Sequence, residues 1–148
     1  MSLKSRILED VKSAMRAQER EQLGTLRLVT AAIKQKEVDE RIDLNDDQVL
    51  AVLDKMVKQR RESLEQFEKA GREDLALKER YELGIIQTYL PEQLGEDELA
   101  ALIKSTISET GASTPRDMGA VMNALRAKVQ GRADMKAVSQ TVKAQLTS

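Results

Sequence analysis

Apolar residues recur three or four positions apart along nearly the whole chain, and no stretch alternates as a strand would. Leu3, Ile7, Val11 and Ala14 set the pattern over 3–20. Leu23, Leu26, Thr30 and Ile33 carry it over 22–40, and Val49, Leu53, Met56, Leu64 and Phe67 over 46–70. Two further helices are predicted over 73–89 and 96–110. Thr114, Pro115 and Asp117 open a sixth, striped by Met118, Val121, Met122, Leu125 and Val129. Val138, Val142 and Leu146 stripe a seventh over 134–146. The fold class is therefore all-α.

The punctuation between helices supports this reading. Asn45 with Gln48 three residues on is a capping box, and Leu44 and Val49 flank it as a hydrophobic staple. Gly71, Gly111 and Gly131 stand where helices must stop. Pro, Gly and an acidic run coincide in YLPEQLGEDE. That segment divides the chain into an N-terminal long-helix lobe of about four helices, residues 1–92, and a compact C-terminal lobe of about three, residues 93–148.

The residue types limit the chemistry. There is no histidine and no cysteine, which removes the commonest general base, the thiolate nucleophile and the usual zinc ligands. Only Phe67, Tyr81 and Tyr89 are aromatic. No phosphate-binding Gly-rich loop occurs, nor a strand to precede one. Glu62, Glu65 and Glu68 are spaced three apart, but successive directions on a helix then fan out by about 60°. They are read as surface charges, with no metal and no cofactor. The first residues carry charge every few positions and no segment is apolar enough to span a membrane, so the expectation is a cytoplasmic protein.

Charge is unevenly distributed. Residues 1–92 hold 17 basic and 19 acidic groups, whereas residues 111–148 hold 6 basic and 2 acidic groups. The six are Arg116, Arg126, Lys128, Arg132, Lys136 and Lys143, the candidate contacts for a polyanion. Three other charges fall on apolar stripes: Glu37, Arg60 and Glu82. A charge there must be paired or reach solvent. Arg60 is expected to pair with Glu82, with Glu37 as the other candidate, forming either a structural ion pair or the wall of a pocket.

The runs TLRLVTAAIKQKE, KMVKQRRESLEQFEKAGREDL, YLPEQLGEDEL, GASTPRDMGAVM and GRADMKAVS together resemble the YqeY-like family. Its C-terminal part is similar to the tail of the B subunit of aminoacyl-tRNA amidotransferase, the GatB/YqeY domain. The resemblance extends over essentially the whole chain and implies a two-lobe helical fold. It further implies a link to translation as a non-catalytic tRNA-binding or tRNA-enzyme accessory protein. The whole amidotransferase is a carbon–nitrogen ligase with glutamine as amido donor, but these residues resemble none of the parts that perform that chemistry. Two positions depart from the family pattern: Met135 replaces a usual Gly, and Ala120 a frequent Lys.

Three functions thus compete. The first is tRNA binding through the six basic residues. The second is a protein-interaction adaptor that docks on an amidotransferase or synthetase, with a surface around Met118 and Met122. The third is an enzyme with a carboxylate–arginine pocket at Glu37, Arg60 and Glu82.

Overall fold

A computed structural model describes residues 1–147. It contains seven α-helices and no strand among the described residues: α1 (Leu3–Arg16), α2 (Arg20–Glu40), α3 (Asp46–Lys69), α4 (Glu73–Gln87), α5 (Glu96–Thr110), α6 (Met118–Val129) and α7 (Met135–Thr147). A single 3₁₀ turn, Pro115–Asp117, leads into α6. The chain forms two compact units that divide after Pro91.

Local chemistry sets the helix limits. Ser2 caps α1 by accepting the Ser5 N–H at 3.1 Å. Helix α1 stops at Arg16, short of the expected residue 20, because Gln18 takes a left-handed φ of 58° and turns the chain. At α3 the Asn45 side chain accepts the Gln48 N–H at 2.9 Å, and the Gln48 side chain accepts the Asn45 N–H at the same distance. This reciprocal bond satisfies two amides that the helix start leaves open. Helix α4 ends at Gln87, because Thr88, Tyr89 and Leu90 donate to carbonyls only three residues back. The tighter turn leads into Pro91, which cannot continue a helix.

The first unit buries Ile7 of α1, Leu26, Val29 and Ile33 of α2, Val49, Leu53 and Val57 of α3, and Ile86 of α4. Leu44 and Val49, the staple residues, both lie in this core. Helix α3 packs along α4, and α1 along α2. Leu3 ties the start of α1 to the start of α3 through its N–H to Asp46 Oδ1, 2.9 Å. The body of α1 is pinned to the turn that follows α4. Tyr89 donates its hydroxyl to Asp10, and the Arg6 guanidinium lies 5.0 Å from the Tyr89 ring centroid. Burial and the Asp10 carboxylate both push the Tyr89 hydroxyl well above the usual phenol range.

The second unit buries Ile103 of α5, Val121, Leu125 and Val129 of α6, and Val138, Val142 and Leu146 of α7. Met118 and Met122 are partly buried against these residues. They therefore contribute to this core and present only part of their surface to solvent. Gly131, with φ +73°, makes the turn between α6 and α7. The segment after Pro91 is stitched to that turn. Gln93 donates to Gly131 O at 2.6 Å, Leu94 N–H to Arg132 O at 2.8 Å, and Arg132 Nε to Glu92 O at 3.1 Å.

Leu53 is fully buried in the first core. Leu53→Ala is expected to destabilise the protein by about 2–5 kcal/mol through reduced burial and a residual cavity. Urea unfolding monitored by circular dichroism checks this.

Candidate nucleic-acid interface

Helices α6 and α7 run from Met118 to Val129 and from Met135 to Thr147 without an acidic residue between those limits. The sequence thus leaves one helical pair whose only charged side chains are cations. The buried stripe of α6 is Val121, Leu125 and Val129. At 100° per residue, Arg126 sits about 100° to one side of Leu125, the middle of that stripe, and Lys128 about 60° to the other. Lys128 takes the flank that meets α5, where its Nζ lies 2.9 Å from Glu109 and donates to Thr106 Oγ1 at 3.3 Å. That bond and the Lys128 charge hold the Glu109 carboxyl below its usual range. Arg126 lies on the opposite flank and is exposed.

Helix α7 repeats the division. Gln145 donates to Ala100 O of α5 at 3.3 Å, which marks the flank turned to α5. Lys136 and Lys143 are seven residues apart, within about 20° of each other around the helix, on the other flank. Both are exposed. Arg126, Lys136 and Lys143 therefore line the α6–α7 side of the unit that faces away from α5. None of the three forms an ion pair among the described residues.

The remaining candidates differ. Arg116 is exposed in the 3₁₀ turn at the start of α6. Arg132 spends its Nε on the Glu92 carbonyl, and Lys128 is paired to α5, so both carry structural duties. The turn that presents Arg116 is fixed by Asp117, whose carboxylate accepts the N–H groups of Ser113 at 2.9 Å and Thr114 at 3.1 Å. Those two donors hold the Asp117 carboxyl below its ordinary value.

The three stripe-breaking charges lie in the first unit and separate into two places. Arg60 Nε donates to Glu82 Oε2 at 2.9 Å, with the side chains 14% and 10% exposed. Arg60 also donates to the Met56 carbonyl at 3.3 Å. Burial, followed by the charge of Glu82, raises the neighbouring Glu79 carboxyl, while Arg60 opposes the shift. Glu37 is elsewhere. It accepts from Lys4 Nζ at 2.6 Å and from the Leu44 N–H at 3.0 Å, which holds its carboxyl low. The structure therefore brings Arg60 and Glu82 together and leaves Glu37 out of their site. Among the described residues no group of acidic side chains is arranged to hold a metal ion, and no helix is long and apolar enough to cross a membrane.

Two grooves each include one carboxylate of the expected carboxylate–arginine pocket, Glu82 in the first and Glu37 in the second. One, about 720 Å³, runs between α2 and α4, lined by Gly24, Leu28, Leu77, Tyr81 and Glu82 among others. Leu28, Leu77 and Tyr81 are exposed apolar groups. The other, about 510 Å³, lies between α1 and α2 and is lined by Lys4, Leu8, Arg27, Thr30, Lys34 and Glu37 among others. The seven-residue spacing of Arg27 and Lys34 was the available signal for the second groove.

An all-helical chain in two compact units, one with a cationic helical hairpin, is the class of protein these features define. The chain belongs to the YqeY-like family, whose model, described as Yqey-like protein, matches residues 4–146. It is 32% identical over 140 residues to altered inheritance of mitochondria protein 41, mitochondrial, of Pyrenophora tritici-repentis, an alignment covering 93% of this chain and 77% of the relative. The protein of the same name in Eremothecium gossypii is 42% identical over 83 residues, covering 55% of this chain and 45% of the relative. An uncharacterised Schizosaccharomyces pombe protein is 31% identical over 91 residues, covering 62% of this chain and 74% of the relative. The chain thus spans less than half the length of the Eremothecium relative. These names correct the expectation of a cytoplasmic protein, because the relatives are mitochondrial by name. Charge spacing near the first residue bears on apolar segments only and does not fix a compartment.

Two outcomes are expected. Glu82→Ala leaves the largely buried Arg60 without its carboxylate, and is expected to cost about 2–3 kcal/mol, somewhat less than for a fully buried pair. The double variant Arg60→Met/Glu82→Leu should recover most of that stability in chemical denaturation. For Asp117 the folded carboxyl lies below its unfolded value, so its contribution is present above a pH of about 3.9 and is lost as the pH falls through the folded value. Asp117→Asn should therefore lower the urea midpoint at pH 7, and the gap to the unaltered protein should close in strong acid.

Proposed function

We propose that the protein is a non-catalytic tRNA-binding accessory factor, and that Arg126, Lys136 and Lys143 are its principal contacts, with Arg116 at the edge. The observation that carries this reading is a face of the α6–α7 pair with exposed cations that form no ion pair among the described residues, and no carboxylate in either helix. Such a face attracts phosphate through charge and through release of condensed counterions. Its helices contain no aromatic side chain, so it reads backbone and folded shape in preference to stacked bases. Lys128 and Arg132 hold the platform by bonding to Glu109 and Glu92. The likeness of the C-terminal part to an amidotransferase tail supports tRNA as the polyanion, and residues 1–92 and 93–148 are then distinct functional domains. Glutamine-dependent carbon–nitrogen ligation finds no support in the side chains present.

A second reading rests on a different surface. Leu28, Leu77 and Tyr81 around the α2–α4 groove form an exposed apolar patch of the kind that docks a protein partner. An amidotransferase or aminoacyl-tRNA synthetase is the partner the family resemblance favours.

The first reading is tested by titrating bulk tRNA across a salt series. The unaltered chain should bind with a steep salt dependence. Arg126→Gln/Lys136→Gln/Lys143→Gln should weaken binding and flatten the slope by up to about 0.9 log units for each phosphate that is no longer neutralised. An unchanged slope would remove this face from the proposal. Binding of a purified amidotransferase or synthetase that disappears in Leu77→Asp would favour the second reading.

A further inference from the structure

We infer that the first unit carries a separate phosphate-binding groove along α2, suited to the sugar–phosphate backbone of RNA in extended form. Arg27, Lys34 and Arg41 stand seven residues apart. A straight helix turns such a series by only about 20° per step, so the three share one side of α2 and its C-terminal end. Their Cα positions are about 10 Å apart along the axis. That spacing is too wide for one small anion to be shared by all three. It suits a polymer with charges along its length.

A physical channel accompanies the row. The groove between α1 and α2 adjoins a second depression of about 280 Å³ around the end of α2. The two share Lys34 and Glu37. Together they are lined by the cations Lys4, Arg27, Lys34 and Arg41 and by the carboxylates Glu37 and Asp43. Glu37 is already engaged by Lys4 and the Leu44 amide. Arg27, Lys34 and Arg41 make no ion pair among the described residues. Lys34 also acts on Glu37 through charge, and Asp43 lines the second depression, so four cations face two carboxylates and the lining is net cationic. Arg20 continues the same spacing but lines the α2–α4 groove, so the row ends at Arg27. No aromatic residue lines either depression, which leaves backbone charge as the feature that can be read.

Arg41 is held with φ 56° at the end of α2, a left-handed geometry that favours glycine or asparagine. A cation also complements the negative end of the helix dipole there. Arg27 and Lys34 have no such local explanation, so they carry the test.

The groove shares its ligand class with the α6–α7 face but none of its residues, so each can fail alone. The experiment measures binding of fluorescein-labelled oligouridylate to the full chain by anisotropy across a salt series. Arg27→Gln/Lys34→Gln should weaken binding at least tenfold and reduce the salt slope by about 1.4, two single-strand phosphates at about 0.7 each. Adding Arg27→Gln/Lys34→Gln to Lys136→Gln/Lys143→Gln should remove the same further increment of oligouridylate slope, so the groove's contribution is read separately from that of the α6–α7 face. The charge-preserving swap Arg27→Lys/Lys34→Arg should keep the slope, which separates loss of charge from loss of folding. An oligouridylate slope unchanged in Arg27→Gln/Lys34→Gln would overturn the inference. So would absence of oligouridylate binding at low salt, including the case where inorganic phosphate alone shifts the Arg27 and Lys34 amide resonances. Displacement by polyglutamate as readily as by unlabelled oligouridylate would also overturn it, pointing to an acidic peptide instead.

Discussion

Burial of narrow aliphatic stripes is the constraint on which the rest of this structure depends. With three aromatic residues in 148, no single side chain can anchor a large core. Stability must come from many branched aliphatic groups, each contributing about 1.5–3 kcal/mol on full burial. Each helix therefore gives one face to packing and leaves the rest to solvent. That exposed remainder is where the charge resides, and its placement decides what the protein can contact. In α6 the stripe Val121–Leu125–Val129 fixes Arg126 on one flank and Lys128 on the other. The core thus determines which cation meets α5 and which meets solvent.

The Arg60–Glu82 pair shows the limit of that scheme. Two charges sit among apolar neighbours, and the geometry satisfies them with each other and with the Met56 carbonyl. Such a pair adds little net stability over well-packed apolar groups, because desolvation offsets the Coulomb gain. What it can supply is register: Arg60 and Glu82 meet only when α3 and α4 are aligned to within a fraction of a turn. Glu82 also lines the groove that holds Leu77 and Tyr81, so the same alignment shapes an exposed apolar surface.

The helices were legible because their signals are local. Asn45 and Gln48, Thr114 and Asp117, and the glycines at 71, 111 and 131 act within a few residues of themselves. Gln18 was not legible, since a left-handed glutamine has no sequence signature and follows from the need to turn α1 back onto α2. Met118 and Met122 fall on the stripe that periodicity assigned them, but how far packing covers them needed the tertiary structure, which leaves both partly buried. The α1–α2 groove also needs tertiary information, since Lys4 and Glu37 meet across 33 residues of sequence.

Counting cations along the C-terminal segment overstates its capacity for a polyanion. Lys128 gives its charge to Glu109, and Arg132 spends a donor on a backbone carbonyl at the base of its own unit. Both residues still matter, because they tie α5 and the segment after Pro91 to the α6–α7 pair that carries Arg126, Lys136 and Lys143. A lysine paired at 2.9 Å would have to surrender that partner before neutralising a phosphate. The first-unit groove follows the opposite logic. There Lys4 bonds Glu37, whose charge Lys34 also offsets, and Arg27 forms no ion pair among the described residues. In both units, which cations face solvent uncompensated is decided by where the carboxylates are already committed. Net charge alone, −1 for the whole chain, conceals both surfaces.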